Sequence, residues 1–372
     1  MTSQERREGR YKRRVEKRYQ KKRAIYRQHG RYDQVYTFGN LYDAYQKSKK
    51  GVMWKASTQK YKANALLHVF EDYERLKNKT YKSKGFYEFD IFERGKPRHI
   101  KSVHISERVV QKCLCNESIV PIVSRSLIYD NGACIAGKGI DFTLNRLDTH
   151  LHRHYRRHGR DGYVLLFDFS KYFDNISHEA LIKIVNKLPI DLELKKSMCY
   201  FIKQFGHKGL GLGSQISQIC ALLLPNALDH MIKEELQIKG YGRYMDDGYL
   251  IHHDKEYLKE CKNRIQDKCN ELGIVLNLKK TQIVKLSKGF QFLKVRFLLS
   301  ETGKVIRLVN KASVVRQRRK LKSFYRKYLN GEMLAYDIEC SYQSWKGHVK
   351  KVRSYQLLKR MDQLYYKLFG GI

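Results

Sequence analysis

The chain alternates between stretches of hydrophobic period near two and stretches of period near 3.6, and this predicts most of its elements. "GFYEFDIFERGKPRHI" (residues 85–100) places aromatic and polar residues in turn around Gly95-Lys96-Pro97, the pattern of a β-hairpin with a basic tip. "YVLLFDF" (163–169) is a short apolar strand that ends at Asp168. "RYMDDGYLIHH" (243–253) reads as strand, turn, strand, because Asp-Gly is a common turn dipeptide. Further short strands are predicted in "IVLNLKKTQIVKL" (274–286) and "GFQFLKVRFLL" (289–299).

Helical spacing recurs between these strands. Residues 41–80 predict helix, with Ser57 and Thr58 as candidate caps. Helical period returns in "SERVVQKCLCNESIVPIV" (106–123), from about Ser177, and over residues 213–238, read as one long, mostly apolar helix. "KEYLKECKNRIQDKCNELG" (255–273) is an amphipathic helix with Gly273 as its C-cap. Residues 311–372 read as helices rich in Lys and Arg. The order β-α-(α)-β-β-α-β in the middle of the chain predicts an α+β fold with a split βαβ, ferredoxin-like sheet.

Composition then narrows the function. The chain has 372 residues, enough for two or three subdomains with a hydrophobic core. Its 75 Lys+Arg against 37 Asp+Glu give a net charge of +38, which points to a polyanionic partner, nucleic acid by default. Residues 1–31 concentrate Arg, Lys and Tyr and hold few aliphatic residues, so this arm builds no core of its own and is expected to order on RNA or on the body of the protein. With no apolar run long enough to span a bilayer and no apolar signal core, a soluble, cytoplasmic protein is expected. The eight cysteines form no C-x-x-C pair and are expected to be reduced, mostly buried thiols. "THLHRHYRRH" (149–158) is read as a solvated basic segment rather than a metal site.

The carboxylates carry the candidate chemistry. A charged group beside a buried strand is costly unless it is paired or binds a cation. Asp168 ends one apolar strand, and Asp246 and Asp247 sit between two others. In a ferredoxin-like sheet these segments can be neighbours, bringing three self-repelling carboxylates together. Two divalent ions would turn that cluster into a site for nucleotidyl transfer, and Mg²⁺ suits carboxylates, water and phosphates. The alternative is a plain Asp-Gly turn with Asp168 as a helix cap.

At this point the residues carry a resemblance. Tyr244-Met245-Asp246-Asp247 is similar to the Y-x-D-D box of reverse transcriptases, and Phe167–His178 resembles their first palm motif in its F-D-x-I-x-H form. "GKPRHI" (95–100) resembles the fingers hairpin, "ERVVQ" (107–111) the helix after it, "LGIVLNLKKTQIV" the box ending in Lys-Thr, and "FQFLKVRF" the primer grip. The resemblance implies a right-hand polymerase. Its parts would be a basic N-terminal arm (1–40), fingers (41–160), a ferredoxin-like palm (161–300, with finger/palm helices at 178–240) and a short helical thumb (301–372).

It also implies roles. Asp168, Asp246 and Asp247 would hold two Mg²⁺ ions, with Mn²⁺ as an alternative, and the Phe169 carbonyl would be a further ligand. Lys96 and Arg98 would clamp the dNTP triphosphate. Phe173 would lie under the sugar and exclude a 2′-hydroxyl. Lys280 would protonate the departing pyrophosphate, with Lys279 beside it as the competing choice. Partners would be template RNA and an RNA/DNA hybrid.

Two positions depart from the pattern. Lys294 stands where the primer grip usually carries Gly. Leu212-Gly213-Ser214-Gln215-Ile216-Ser217-Gln218 replaces the Q-G-x-x-x-S-P of most bacterial relatives and resembles the variant of diversity-generating retroelements. Leu212, Gly213 and Gln218 would then border the templating base, and loss of a glutamine there would loosen base selection. In the competing local reading Leu212 simply packs and Gln218 caps the helix. "SYQSWKGHVKKVRSYQLL" (341–358) resembles the small thumb of the same enzymes. The expectation is an error-prone, bacterial or phage-encoded RNA-directed DNA polymerase that works with a small basic accessory protein oligomer. The alternatives are a phage-defence or group II intron-like reverse transcriptase and, in another class, a non-catalytic RNA-binding scaffold.

Overall fold

The structure is a computed structural model and describes residues 2–93 and 96–370. The chain is α+β and divides into two compact units. One comprises Met1–Lys138, Phe169–Glu235 and Arg264–Leu276; the other comprises Gly139–Asp168, Leu236–Asn263 and Asn277–Ile372.

The first unit opens on a helix, Ser3–His29, with a Thr2/Glu5 capping box. The predicted hairpin is present: β1 (Phe86–Glu93) pairs antiparallel with β2 (Lys96–Val103), Glu93 opposite Lys96. Gly95, at its tip, lies outside the described residues. The helical stretch at 41–80 is interrupted. Helices Ala56–Ala63 and Ala65–Lys77 meet at Asn64, and Ser57 and Thr58 lie inside the first rather than capping it. The long helix expected over 213–238 is also broken. It runs as Gln215–Leu223, then Asn226–His230 and a short π-helix at Met231–Glu235. Pro225 accounts for the break: it has no N–H for the helical ladder, and its own backbone, at φ −85° and ψ 9°, leaves the helical range. Ser177 caps helix His178–Val185 through the Ala180 N–H, as expected of a Ser before an apolar run.

The second unit holds the predicted sheet. β3 (Tyr163–Asp168), β4 (Gly240–Tyr244), β5 (Asp247–His252) and β6 (Gln282–Lys285) are ordered β4-β5-β3-β6, and all three neighbouring pairs are antiparallel. This is the ferredoxin-like order. It follows from a split βαβ in which the β4–β5 hairpin lands beside the first strand. Helix Ile140–His158 covers one face. Its Leu144, Leu147 and Leu151 join Val164, Leu166, Tyr249 and Ile251 in one buried cluster. The period-2 strands supply one face residue in two, and each such buried side chain is worth about 1.5–3 kcal/mol.

That helix corrects the reading of "THLHRHYRRH". His150 is buried and its Nδ1 lies 3.0 Å from the Tyr249 hydroxyl; His154 is buried and bonds the Asp161 carbonyl. The segment is amphipathic, with two of its histidines in the core and its arginines outside.

A second sheet of β7 (Phe290–Phe292), β8 (Val295–Leu299) and β9 (Val305–Val309) presents Phe290, Phe292, Val295 and Phe297 to the same cluster. The β7–β8 turn is Leu293-Lys294, with φ of +46° and +68°. Two successive positive φ values match the twist of a two-residue hairpin. Lys294 therefore adopts the conformation that a glycine would take more cheaply, at a cost of about 1–2 kcal/mol. Three helices end the chain, Lys311–Leu329, Ala335–Val349 and Tyr355–Phe369, packed around Leu321, Ile338, Tyr342 and Met361. The described residues include no helix long and apolar enough to cross a membrane. Five of the eight free cysteines are buried.

Candidate active site

Strand pairing builds the acidic cluster. In the β3–β5 ladder Phe167 lies opposite Gly248 and Asp168 opposite Asp247. The β4–β5 hairpin closes with Tyr244 opposite Asp247, leaving Met245 and Asp246 as its two-residue turn. Met245 takes a φ of +53°, a conformation worth about 1 kcal/mol of strain for a residue with a Cβ. The turn thus places two consecutive aspartates at one end of the sheet, beside the end of β3.

Two features hold it there. Arg243 is fully buried in β4 and donates from its guanidinium to the Met245 carbonyl at 2.7 Å. It ties down the strained turn from below. Gly248 leaves room for a ring: a Cβ there would overlap the side chain of Phe167 on the neighbouring strand. Only glycine lets these strands pair with Phe167 in place.

Asp168 is buried and well connected. Its Oδ2 accepts from Lys280 Nζ at 2.9 Å and from Asn277 Nδ2 at 3.1 Å, and its carbonyl accepts from the Asn277 N–H at 2.7 Å. Of the two adjacent lysines, Lys280 is therefore the one whose ammonium reaches the cluster. Its bond to Asp168 raises its pKa above the ordinary lysine value. Burial raises the pKa of Asp246, and the charge of Asp168 adds to this. Asp247 rises further, to about 7, through burial first and then the charges of Asp246 and Asp168. At neutral pH this cluster is short of positive charge, and Lys280 answers only part of it.

These donors suit a hard divalent cation in kind. They are oxygen-only, negatively crowded and at the end of the two central strands, where water and phosphate oxygens can complete a coordination shell. Among the described residues no three His, Cys, Asp or Glu side chains form a ready-made ion cage. Mg²⁺ seldom uses one; it binds through one or two carboxylates, several waters and substrate phosphates.

The other sequence candidates belong to the first unit. Phe169, the residue after Asp168, is buried, and its ring centroid lies 5.0 Å from that of Tyr172. Phe173 is half-buried in the short helix Tyr172–Asn175, and its carbonyl accepts from Leu210 N–H at 2.8 Å. Leu212 forms a parallel bridge with Ile100 of β2, two residues beyond Arg98. The chain thus gathers Phe173, the Leu210–Leu212 segment and β2 in one place. Arg98 is exposed; Lys96 opens β2, and its side chain lies outside the described set. Gly213 has a φ of +105°, a backbone conformation suited to glycine. Gln218 lies inside helix Gln215–Leu223, whose N-cap is Ser214, so it does not cap that helix.

Two site residues escape the sequence reading. Arg243 and Asn277 are polar residues within or beside apolar runs. The visible signal was a charge inside "GYGRYMDD", where a strand with a buried face has no use for one unless it is satisfied.

Comparison with known proteins agrees with this geometry. The family described as "Reverse transcriptase (RNA-dependent DNA polymerase)" matches residues 77–297. The chain belongs to the reverse transcriptase family, and its fold is of the right-hand polymerase class. No curated protein sequence matches it. Among solved structures it is similar to the telomerase of Candida albicans in complex with a TWJ fragment of telomeric RNA, at 13% identity and a TM-score of 0.48, over 76% of this chain and 54% of that one. It is also similar to the apo telomerase of Candida tropicalis, at 14% identity and a TM-score of 0.44, over 61% and 49%. A form of that enzyme truncated from its C-terminal domain gives 15% and 0.43, over 60% and 55%. The chain spans about half the length of each of these telomerase chains.

Proposed function

We propose that the protein is an RNA-directed DNA polymerase of the diversity-generating retroelement type, which copies a template RNA into error-containing cDNA. The observation that carries the polymerase reading is the convergence of Asp168, Asp246 and Asp247 at one end of the β3–β5 pair, within a reverse transcriptase family match. Asp168, Asp246 and Asp247 would hold two Mg²⁺ ions, with the Phe169 carbonyl as a further donor. Bound Mg²⁺ supplies charge neutralisation at the triphosphate and acidifies the primer 3′-hydroxyl.

The residues of the chain then have separate tasks. The primer 3′-oxygen bonds to the α-phosphorus of the dNTP, and the bond to pyrophosphate breaks. Lys280 gives a proton to the departing pyrophosphate, while the hydroxyl proton is lost to solvent. Lys96 and Arg98 bind the triphosphate. Phe173 fills the space that a 2′-hydroxyl would need. The Leu212-Gly213 segment, with Gln218 one helical turn further on, borders the templating base. Leu212 offers that base no hydrogen bond, which supports the retroelement reading and its lowered fidelity. The cellular setting, bacterial or phage-encoded, and a small basic accessory protein oligomer belong to the same reading.

Primer extension on RNA with dNTPs tests it. The intact chain is expected to extend, and Asp246→Ala to lose extension. Sequencing the cDNA tests the subtype: errors clustered at template adenines support a retroelement enzyme, while uniform fidelity overturns that assignment and leaves the polymerase.

A further inference from the structure

The N-terminal helix Ser3–His29 is long, strongly basic and unburied. It carries 12 Lys or Arg against 3 Glu, and none of its side chains is buried among the described residues. Yet it is not uniformly polar. Tyr11, Val15, Tyr19 and Tyr26 are 69%, 45%, 55% and 40% exposed, and their spacing of four, four and seven puts them on one stripe. The three rings, of Tyr11, Tyr19 and Tyr26, stand about 10–12 Å apart along the axis, with Val15 between the first two, and the stripe runs about 22 Å. Arg23 lies over the Tyr19 ring at 5.7 Å.

At its C-terminal end the helix is fixed to its own unit. His29 Nδ1 contacts the Glu117 carbonyl at 2.7 Å, and the Asp191 N–H donates to the Gly30 carbonyl at 2.8 Å. Here the stripe runs into a groove lined by Lys22, Arg23, Tyr26, Arg27, Arg31 and Pro189. Four cations, one ring and no carboxylate line it.

We infer that this helix and groove form a binding surface for single-stranded nucleic acid, built from residues other than those of the acidic cluster. Exposed, spaced aromatics flanked by same-sign cations match what an unpaired strand offers: a charged backbone on one side and open base faces on the other. A duplex hides its base faces and would use only the charge. A protein helix docking on the same stripe would have to cover Lys22 and the flanking arginines, which costs free energy unless it is strongly acidic.

Binding of a fluorescent oligo(U) RNA to the full chain, measured by anisotropy, tests this. The chain carries Asp246→Asn throughout, so the outcome does not depend on whether the protein polymerises. Tyr11→Ala with Tyr19→Ala is expected to weaken oligo(U) at least tenfold and an RNA hairpin duplex less than threefold. Both tyrosines are exposed and outside the core, so folding is retained. Replacing Lys22, Arg23, Arg27 and Arg31 by Gln is expected to reduce the slope of log K against log salt by about 2 to 3. Equal loss for single strand and duplex overturns the stacking surface. Unchanged RNA affinity, together with a helix-dependent self-association that the tyrosine substitutions abolish, assigns the face to a second copy instead.

Discussion

Asp168 and Asp247 face each other across the β3–β5 ladder, and the Asp247 pKa is pushed up to about 7 by burial and by its acidic neighbours. The pair is arranged by backbone register, so the chain holds its own repulsion in place. That is costly as structure alone and useful for a group that binds cations.

The first prediction concerns pH. The folded-state pKa of Asp247 lies above its unfolded value of 3.8, so between about pH 4 and 7 the folded chain holds a proton that the unfolded chain has released. Its contribution makes stability fall as pH rises through that window, and Asp246 acts in the same direction. His154 and His252, lowered mainly by burial, work oppositely and favour the folded state as pH rises. The readout is therefore a difference: by calorimetry, Asp247→Asn should raise Tm more at pH 8 than at pH 5. Mg²⁺ should stabilise the unsubstituted chain more at pH 8 and release protons on binding. An Asp247→Asn effect independent of pH would contradict the assigned shift.

The second prediction is catalytic. Asp168→Asn or Asp246→Asn should lower primer extension at least about a thousandfold while the fold remains, because charge neutralisation by metal is worth several kcal/mol. Circular dichroism checks the fold and single-turnover extension the rate. Lys280→Ala should cost less, about ten- to a hundredfold, whereas Lys279→Ala should cost little, since only the Lys280 ammonium is bonded to Asp168.

The third prediction is structural. Gly248→Ala forces a Cβ into the Phe167 ring and should destabilise by about 1–3 kcal/mol. Phe167→Leu in the same chain should recover part of this, giving a double-mutant coupling energy of opposite sign. Urea denaturation measures it, and strictly additive effects would mean that the two residues do not meet.

Much of this was legible because the two periods are unambiguous. The Asp-Gly dipeptide in "RYMDDGYLIHH" marked a hairpin, but its turn falls one residue earlier, at Met245-Asp246, because Asp247 and Gly248 pair within β5, and the two aspartates still come together at its end. The ferredoxin-like order followed from element order alone. What the pattern hid were residues that act against their type. Arg243 looks out of place in a strand until its bond to the Met245 carbonyl is known. Lys294 takes glycine's conformation because the β7–β8 pairing on both sides demands it. Pro225 was visible, but an apolar run on both sides of it outweighed its signal. His150 and His154 were read as solvated because charge in a segment was averaged, whereas a helix sorts its residues by face.

The last prediction concerns Arg243. Its guanidinium holds the carbonyl of a turn residue at positive φ, and its charge also lowers the pKa of Asp246 against the stronger upward push of burial. Removing it should therefore do two separable things. Arg243→Met keeps much of the volume but leaves the Met245 carbonyl without this donor, which should destabilise by about 2–4 kcal/mol in urea denaturation. It should also raise the Asp246 pKa further, so that the pH at which Mg²⁺-dependent stabilisation reaches half its maximum moves upward. Arg243→Lys keeps the charge on a shorter reach, and should restore the pH midpoint more fully than the stability. If Lys instead restored stability and left the midpoint displaced, Arg243 would be acting on the turn alone and its charge would have no part in tuning the cluster.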